Sequence, residues 1–141
     1  MFHLQLVTLT GIKYDQDVSE VILPTLDGQI GILTDHMPLI SVATVGVISI
    51  RRNPHDPERE LDHFAVYGGV IEFDKNNLKV IVDEADAADS INEAEAERAF
   101  AEAQRMKAEA KDAVSLERAQ ALVDRRSVRL QVANLKRRHQ R

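Results

Sequence analysis

Five histidines, His3, His36, His55, His63 and His139, are the side chains in this 141-residue chain best suited to acid-base chemistry or metal ligation. Two of them have an acidic neighbour, in His55-Asp56 and Asp62-His63. The first pair sits in a proline-rich loop and the second at a predicted strand start, where adjacent residues point to opposite faces, which is poor metal-ligand geometry. The chain has no cysteine, which removes thiolate nucleophiles, thiolate metal sites and disulfides, and fits a reducing compartment. Gly28-x-x-Gly31 and Gly68-Gly69 are the only glycine pairs that would cradle a phosphate, but neither has the lysine and serine or threonine of a phosphate loop. No nucleophile with a base, acid-base pair or metal cluster has the spacing that catalysis needs. These residues point to turns and surfaces, with no cofactor.

The elements that position them follow two different patterns. All six glycines and all four prolines lie at or before Gly69, and from Val70 onward the chain has neither breaker. Before that boundary, short apolar or alternating runs recur at Phe2 to Leu9, Val18 to Leu23, Val45 to Ile50, His63 to Tyr67, Val70 to Phe73 and Leu78 to Val82. Thr10-Gly11, Asp27-Gly28, the Asn53 to Pro57 loop and Lys75-Asn76-Asn77 separate them. Short strands at this spacing predict a compact antiparallel sandwich or flattened barrel. Within it, Leu26 to Leu39 reads as two short strands flanking an ordered loop, because Pro38 breaks a helix and pushes Met37 toward extended geometry. That loop either only connects strands or presents its turn to a partner.

From about Ser90 the spacing becomes helical, with Ser90 and Glu93 placed as a capping box. Ala96, Ala99, Phe100, Ala103, Met106 and Ala110 form one apolar face. A second helix is predicted from Ser115, as its N-cap, to about Lys136, with Leu116, Ala119, Val123, Leu130 and Ala133 as its stripe. The link Lys111 to Val114 is short enough to make the two helices antiparallel neighbours. The predicted class is α+β: a β-sandwich over residues 1–86, then a helical hairpin over 87–141. Alanine contacts bury little area, so the hairpin needs a surface to lie on, either the sandwich or a partner.

Charge divides at nearly the same place. Up to position 113 there are 10 basic and 21 acidic side chains, a net of -11, and after it 8 basic and 2 acidic, a net of +6. A basic tail on an acidic body predicts either an acidic partner or docking back onto the body. A nucleic-acid-binding module using the basic helix is one competing function, and a helical-hairpin chaperone another. With no Trp, two Tyr and four Phe, base-stacking platforms are poorly supplied, and the expectation is no nucleic-acid partner. No apolar run approaches the roughly 20 residues that span a bilayer, so no direct bilayer insertion is expected. Met1 to Leu6 lacks a basic region and a cleavage site, and reads as mature strand rather than signal.

Three features in order, Gly28 to Leu39, Tyr67-Gly68-Gly69-Val70-Ile71-Glu72, and a two-helix tail beginning soon after Val82-Asp83-Glu84-Ala85, resemble the epsilon subunit of F-type ATP synthases, called delta in mitochondria. The resemblance implies a ten-stranded sandwich and a C-terminal hairpin. It also implies a non-catalytic rotor subunit on the cytoplasmic face of a bacterial membrane, joining the gamma subunit to the ring of c subunits and coupling ion flow to ATP synthesis. On that basis Asp27, Gly28, Gln29, Ile30 and Gly31 match the c-ring contact, although Gln29 stands where relatives often carry an acid. His36, Met37, Pro38 and Leu39 match the gamma contact, with a turn-filling histidine the equal alternative for His36. In bacterial relatives the hairpin extends toward the alpha and beta subunits and slows hydrolysis. Here Arg118, Arg125, Arg126, Arg129, Lys136, Arg137 and Arg138 match the basic side chains that meet beta, the alternative being a solvated helix face. Some relatives bind ATP through a motif whose positions here are Ile91, Asn92, Glu95 and Ala96. Asn92 replaces an acid and Glu95 an arginine, and a glutamate opposite a triphosphate repels it, so no nucleotide site is expected.

Overall fold

The computed structural model describes the backbone of residues 1–139 and the side chains through Lys136. Eight strands precede two helices: β1 (Phe2–Thr8), β2 (Gly11–Val18), β3 (Glu20–Thr25), β4 (Gly28–Leu33), β5 (Leu39–Arg51), β6 (Asp62–Asp74), β7 (Asn77–Val82), β8 (Ala85–Ala87), α1 (Glu93–Glu109) and α2 (Ala113–His139). Hydrogen bonding orders the strands β2-β1-β7-β6-β5-β3-β4, with β8 added to β6. Neighbours pair antiparallel except β1 and β7, which are parallel.

The predicted α+β class and its strand-then-helix order are what the chain adopts, but among the described residues the strands number eight rather than ten. Two runs expected as separate strands, His63 to Tyr67 and Val70 to Phe73, are one 13-residue strand, β6, paired along its length with an equally long β5. Gly68 and Gly69, at φ +111° and +155°, let β6 turn its inward set from Phe64 and Val66 to Ile71 and Phe73, a change of parity that swaps the two faces. β5 makes the same change around Gly46, from Ala43 to Ile48 and Ile50. The two long strands thereby serve both halves of the sandwich, whose core joins Phe2, Leu4 and Leu6 of β1 to Val21 and Leu23 of β3, Ile32 of β4 and Leu78 and Val80 of β7.

β2 escaped the sequence reading because Gly11–Val18 is nearly all polar, and it is held as an edge strand by the β1 ladder. β3 and β5 pair only at their ends, with a register break between Ile22 and Thr25, where Pro24 supplies no N–H. A Cβ on Gly46 would lie 2.5 Å from Pro24 Cβ, so only glycine lets β5 pass this proline.

Both helix caps differ from the predicted ones. Ser90 Oγ donates to Ala87 O at 2.8 Å and closes a single 3-10 turn, Ala88–Ser90, while Asn92 caps α1 by accepting from Glu95 N at 3.0 Å. Asp112, not Ser115, caps α2, accepting from Ser115 N at 2.7 Å. A different competent side chain meets the free first-turn amides in each case, two residues after the predicted one for α1 and three before it for α2. The sequence boundary at 86/87 falls inside β8.

The hairpin lies on the outer face of β5 and β6, where Ala65, Ile91, Ala96, Val132 and Ala133 are buried with Val47 and Tyr67 packed beside them. Leu116 and Met106, predicted on the apolar stripes, are exposed, because the buried contacts with the sheet gather between Val128 and Ala133 and the hairpin turn projects past them. Few side chains are buried here, at about 1 to 2 kcal/mol each, so polar contacts weigh in how firmly the hairpin sits.

Candidate functional site

Three surfaces hold the residues singled out in the sequence. The first is the turn between β3 and β4. Thr25 Oγ1 donates to Gly28 O at 2.6 Å and accepts from Asp27 N at 3.2 Å, which fixes a tight connection with Gly28 at φ +109°. Asp27, Gly28, Gln29 and Gly31 are exposed, whereas Ile30 packs partly into the core. β4 is the last strand of the sheet, so its outer edge keeps unpaired backbone groups facing solvent.

The second surface begins at His36. Asp35 and Asn76 tie two turns together, Asp35 N donating to Asn76 Oδ1 at 2.7 Å and Asn76 Nδ2 to Asp35 Oδ1 at 2.9 Å. His36 sits over this tie, its ring edge-on to Phe73 at 5.8 Å and its Nδ1 2.7 Å from Met37 O, in a turn-filling position. Leu39 packs on the core, while Met37 and Pro38 are exposed. Beyond them the register aligns Val42, Val70 and Ile81 across β5, β6 and β7, with Ile40 two residues before Val42 on the same face. All four are exposed, Ile40 at 79%. Glu72 and Lys79 sit beside Ile40 as a polar rim. Sequence reading missed this row, although Ile40 and Val42 alternating with the inward Leu39 and Ala43 made an apolar run with no stated partner for one face.

The third surface is the basic hairpin, and most of it is engaged internally. Arg125 Nη2 donates to Glu84 Oε2 at 3.1 Å, and its guanidinium carbon lies 4.1 Å from the Tyr67 ring centre. Arg126 Nη1 donates to Ala99 O at 2.8 Å and lies 3.7 Å from Glu102, which ties α2 to α1. Arg129 Nε is 3.9 Å from Asp86 and Lys136 Nζ 3.1 Å from Asp89. Arg118 is exposed near the hairpin turn, and the side chains of Arg137, Arg138 and His139 lie outside the described residues. The charge division of the sequence is thus partly answered within the chain, with α2 cations docked onto carboxylates of the acidic body.

Two other histidines, His3 and His63, have structural partners. His63 Nδ1 is 2.9 Å from Ser49 Oγ. His3 lies between two carboxylates of β2, Nδ1 2.9 Å from Asp17 and Nε2 2.5 Å from Asp15. Opposite ring nitrogens face the two acids, so the trio makes an ion pair rather than a metal site. The Asp17 hydrogen bond, then that of Asp15, raises the His3 pKa above its ordinary 6.5. A raised folded pKa means that His3 stabilises the fold fully below about pH 6.5 and loses that contribution as pH rises through the raised value. An NMR titration is expected to place the imidazole midpoint above 6.5, and a midpoint at or below it would refute the pairing.

Residues 1–88 match the family described as the beta-sandwich domain of the ATP synthase delta/epsilon chain. The ATP synthase epsilon chain of Lactobacillus delbrueckii subsp. bulgaricus is 36% identical over 135 residues, spanning 94% of this chain and 92% of that one. The chain belongs to the ATP synthase delta/epsilon family. The epsilon chain of Chloroflexus aggregans is 35% identical over 133 residues, with 94% and 92% covered. In fold, the chain resembles one in the Euglena gracilis mitochondrial ATP synthase, with a TM-score of 0.79, 16% identity, and 93% of this chain and 79% of that chain covered. A chain of the central stalk and c-ring of the Tetrahymena thermophila mitochondrial ATP synthase aligns with a TM-score of 0.58 at 15% identity, covering 95% of each.

Membership supplies the class of function, that of an epsilon-type subunit of ATP synthase. The competing nucleic-acid module and hairpin chaperone find no support in these relatives. The four positions matched to a nucleotide motif lie around the start of α1. Ile91 is buried under the hairpin, Asn92 caps α1, Ala96 is buried and Glu95 is exposed.

Proposed function

We propose that this chain joins the gamma subunit to the c-ring of a bacterial F-type ATP synthase, as a non-catalytic rotor subunit peripheral to the cytoplasmic face of the membrane. The observation that carries this reading is the exposed apolar row of Ile40, Val42, Val70 and Ile81, continuous through Ile40 with Met37 and Pro38. A monomer gains nothing by leaving aligned aliphatic side chains in water on a sheet face, and such a patch with a polar rim suits a protein partner. Gamma is that partner, and His36 acts by holding the turn from which Met37 and Pro38 project. The exposed turn from Asp27 to Gly31 meets the polar loops of the c-ring, where Gln29 offers an amide in place of a charge.

The hairpin is the regulatory part. Released from the sandwich, it reaches the alpha and beta subunits and slows hydrolysis through Arg118, Arg125, Arg126, Arg129 and Lys136. The rotor assignment is tested by capturing the tagged chain from detergent-solubilised membranes: gamma, with alpha and beta following, is the expected catch, and absence of gamma would refute it. Val70→Asp is expected to weaken gamma binding at least about tenfold while leaving the melting temperature unchanged, since the side chain faces solvent in the free chain. Calorimetric titration with gamma measures this, and undiminished affinity would remove the row from the interface.

A further inference from the structure

Tyr67 opens the Tyr67-Gly68-Gly69 segment, and the glycines account for its backbone but not for its phenol. Its ring faces the hairpin beneath Arg125, and its hydroxyl donates to Asp86 of β8. Asp86 also faces Arg129, and Arg125 donates onward to Glu84. One tyrosine and two carboxylates of the sandwich therefore hold two arginines spaced one turn apart on α2. Their weights differ. Arg129 and Asp86 are each only about a quarter exposed, at 27% and 24%, whereas Arg125 and Glu84 are open to solvent and screened. Burial and Asp86 push the Tyr67 pKa up, so the phenol remains a donor throughout the physiological range.

Arg125 and Arg129 are also among the cations assigned above to the beta subunit, and a guanidinium seated on Tyr67 or Asp86 is not available to another carboxylate. We propose that Tyr67, Glu84 and Asp86 form a clasp that competes with the beta subunit for Arg125 and Arg129, so that the sandwich sets how often the hairpin is free to inhibit. This rests on the inhibitory reading of the hairpin. It gives a sign that the reading alone does not: weakening the sandwich side of the clasp strengthens inhibition, whereas removing the hairpin abolishes it.

The test uses the full chain with two readouts. The protein has no cysteine, so dyes placed through Asp74→Cys and Glu117→Cys report the distance between sandwich and hairpin unambiguously. Hydrolysis is then measured on the complex reconstituted with the same chains. Asp86→Asn is expected to raise the undocked fraction about fivefold, the scale of one lost charge-assisted contact, and to lower hydrolysis. Tyr67→Phe keeps the ring under Arg125 and loses only the hydroxyl, so it acts in the same direction to a smaller extent and carries the test should Asp86→Asn not fold. Unchanged energy transfer in both variants would overturn the clasp. Greater undocking with unchanged hydrolysis would overturn the competition. A parallel complex lacking the hairpin identifies the cause, because unchanged hydrolysis there too means that the inhibitory reading itself has failed.

Discussion

Gly69→Ala is expected to destabilise the sandwich by about 3 to 5 kcal/mol, enough to lower its melting temperature by on the order of 10 °C. A Cβ at this position would lie 2.2 Å from Ile81 O, 2.7 Å from Val82 Cγ1 and 3.0 Å from Val82 Cα. Two of those atoms are backbone of β7, which is paired on both sides, with β6 and β1, so it cannot retreat without loosening two ladders. The φ of +155° adds strain for any side chain. Gly31→Ala is the matched control: nothing lies within 4 Å of its Cβ, and an edge strand tolerates the change within about 0.5 kcal/mol. Thermal unfolding followed by circular dichroism compares them, and equal melting temperatures would show that β6 does not need glycine at its bend.

Ending the chain after Ser90 is expected to preserve assembly with gamma and the c-ring and to raise ATP hydrolysis by the complex about fivefold, the lower end of ordinary allosteric couplings. The cut spares β8 and the turn through Ser90, both of which pack with β6. It leaves the main core intact, since Phe2, Leu23, Ile48, Phe73 and their neighbours make no use of the helices. Its structural cost is the exposure of Ala65, Val47 and Tyr67, a small area. Hydrolysis equal to that of the full complex would defeat the inhibitory role, and failure to recover gamma would place part of the rotor attachment in the hairpin.

Much of the candidate site was visible before the fold. Asp27-Gly28 marks a turn by residue type alone, and the helices follow from their spacing of small apolar residues. The caps were misplaced because Ser90, Asn92, Asp112 and Ser115 are all competent N-cap residues, and only the path of the backbone decides which one meets free amides. His36 was legible both as a contact residue and as a turn filler, but the groups it packs against were not, since Phe73 and the Asp35–Asn76 tie come from β6 and the turn that follows it.

The sequence by itself determined the two-part architecture, the inward residues of β1 and β7, the basic character of α2 and the family, because these depend on residue type and short periodicities. Tertiary structure alone decided that two apolar runs fuse into β6 across Gly68 and Gly69, and that Ile40, Val42, Val70 and Ile81 stay uncovered while Val47, Ala65 and Tyr67 lie under the hairpin. It also decided that Arg125 meets Glu84, 41 positions away in the chain. The reason is physical: a side chain's conformational preference acts over a few residues, but which face of a strand is covered and which charge finds a partner depend on segments brought together only when the whole core closes.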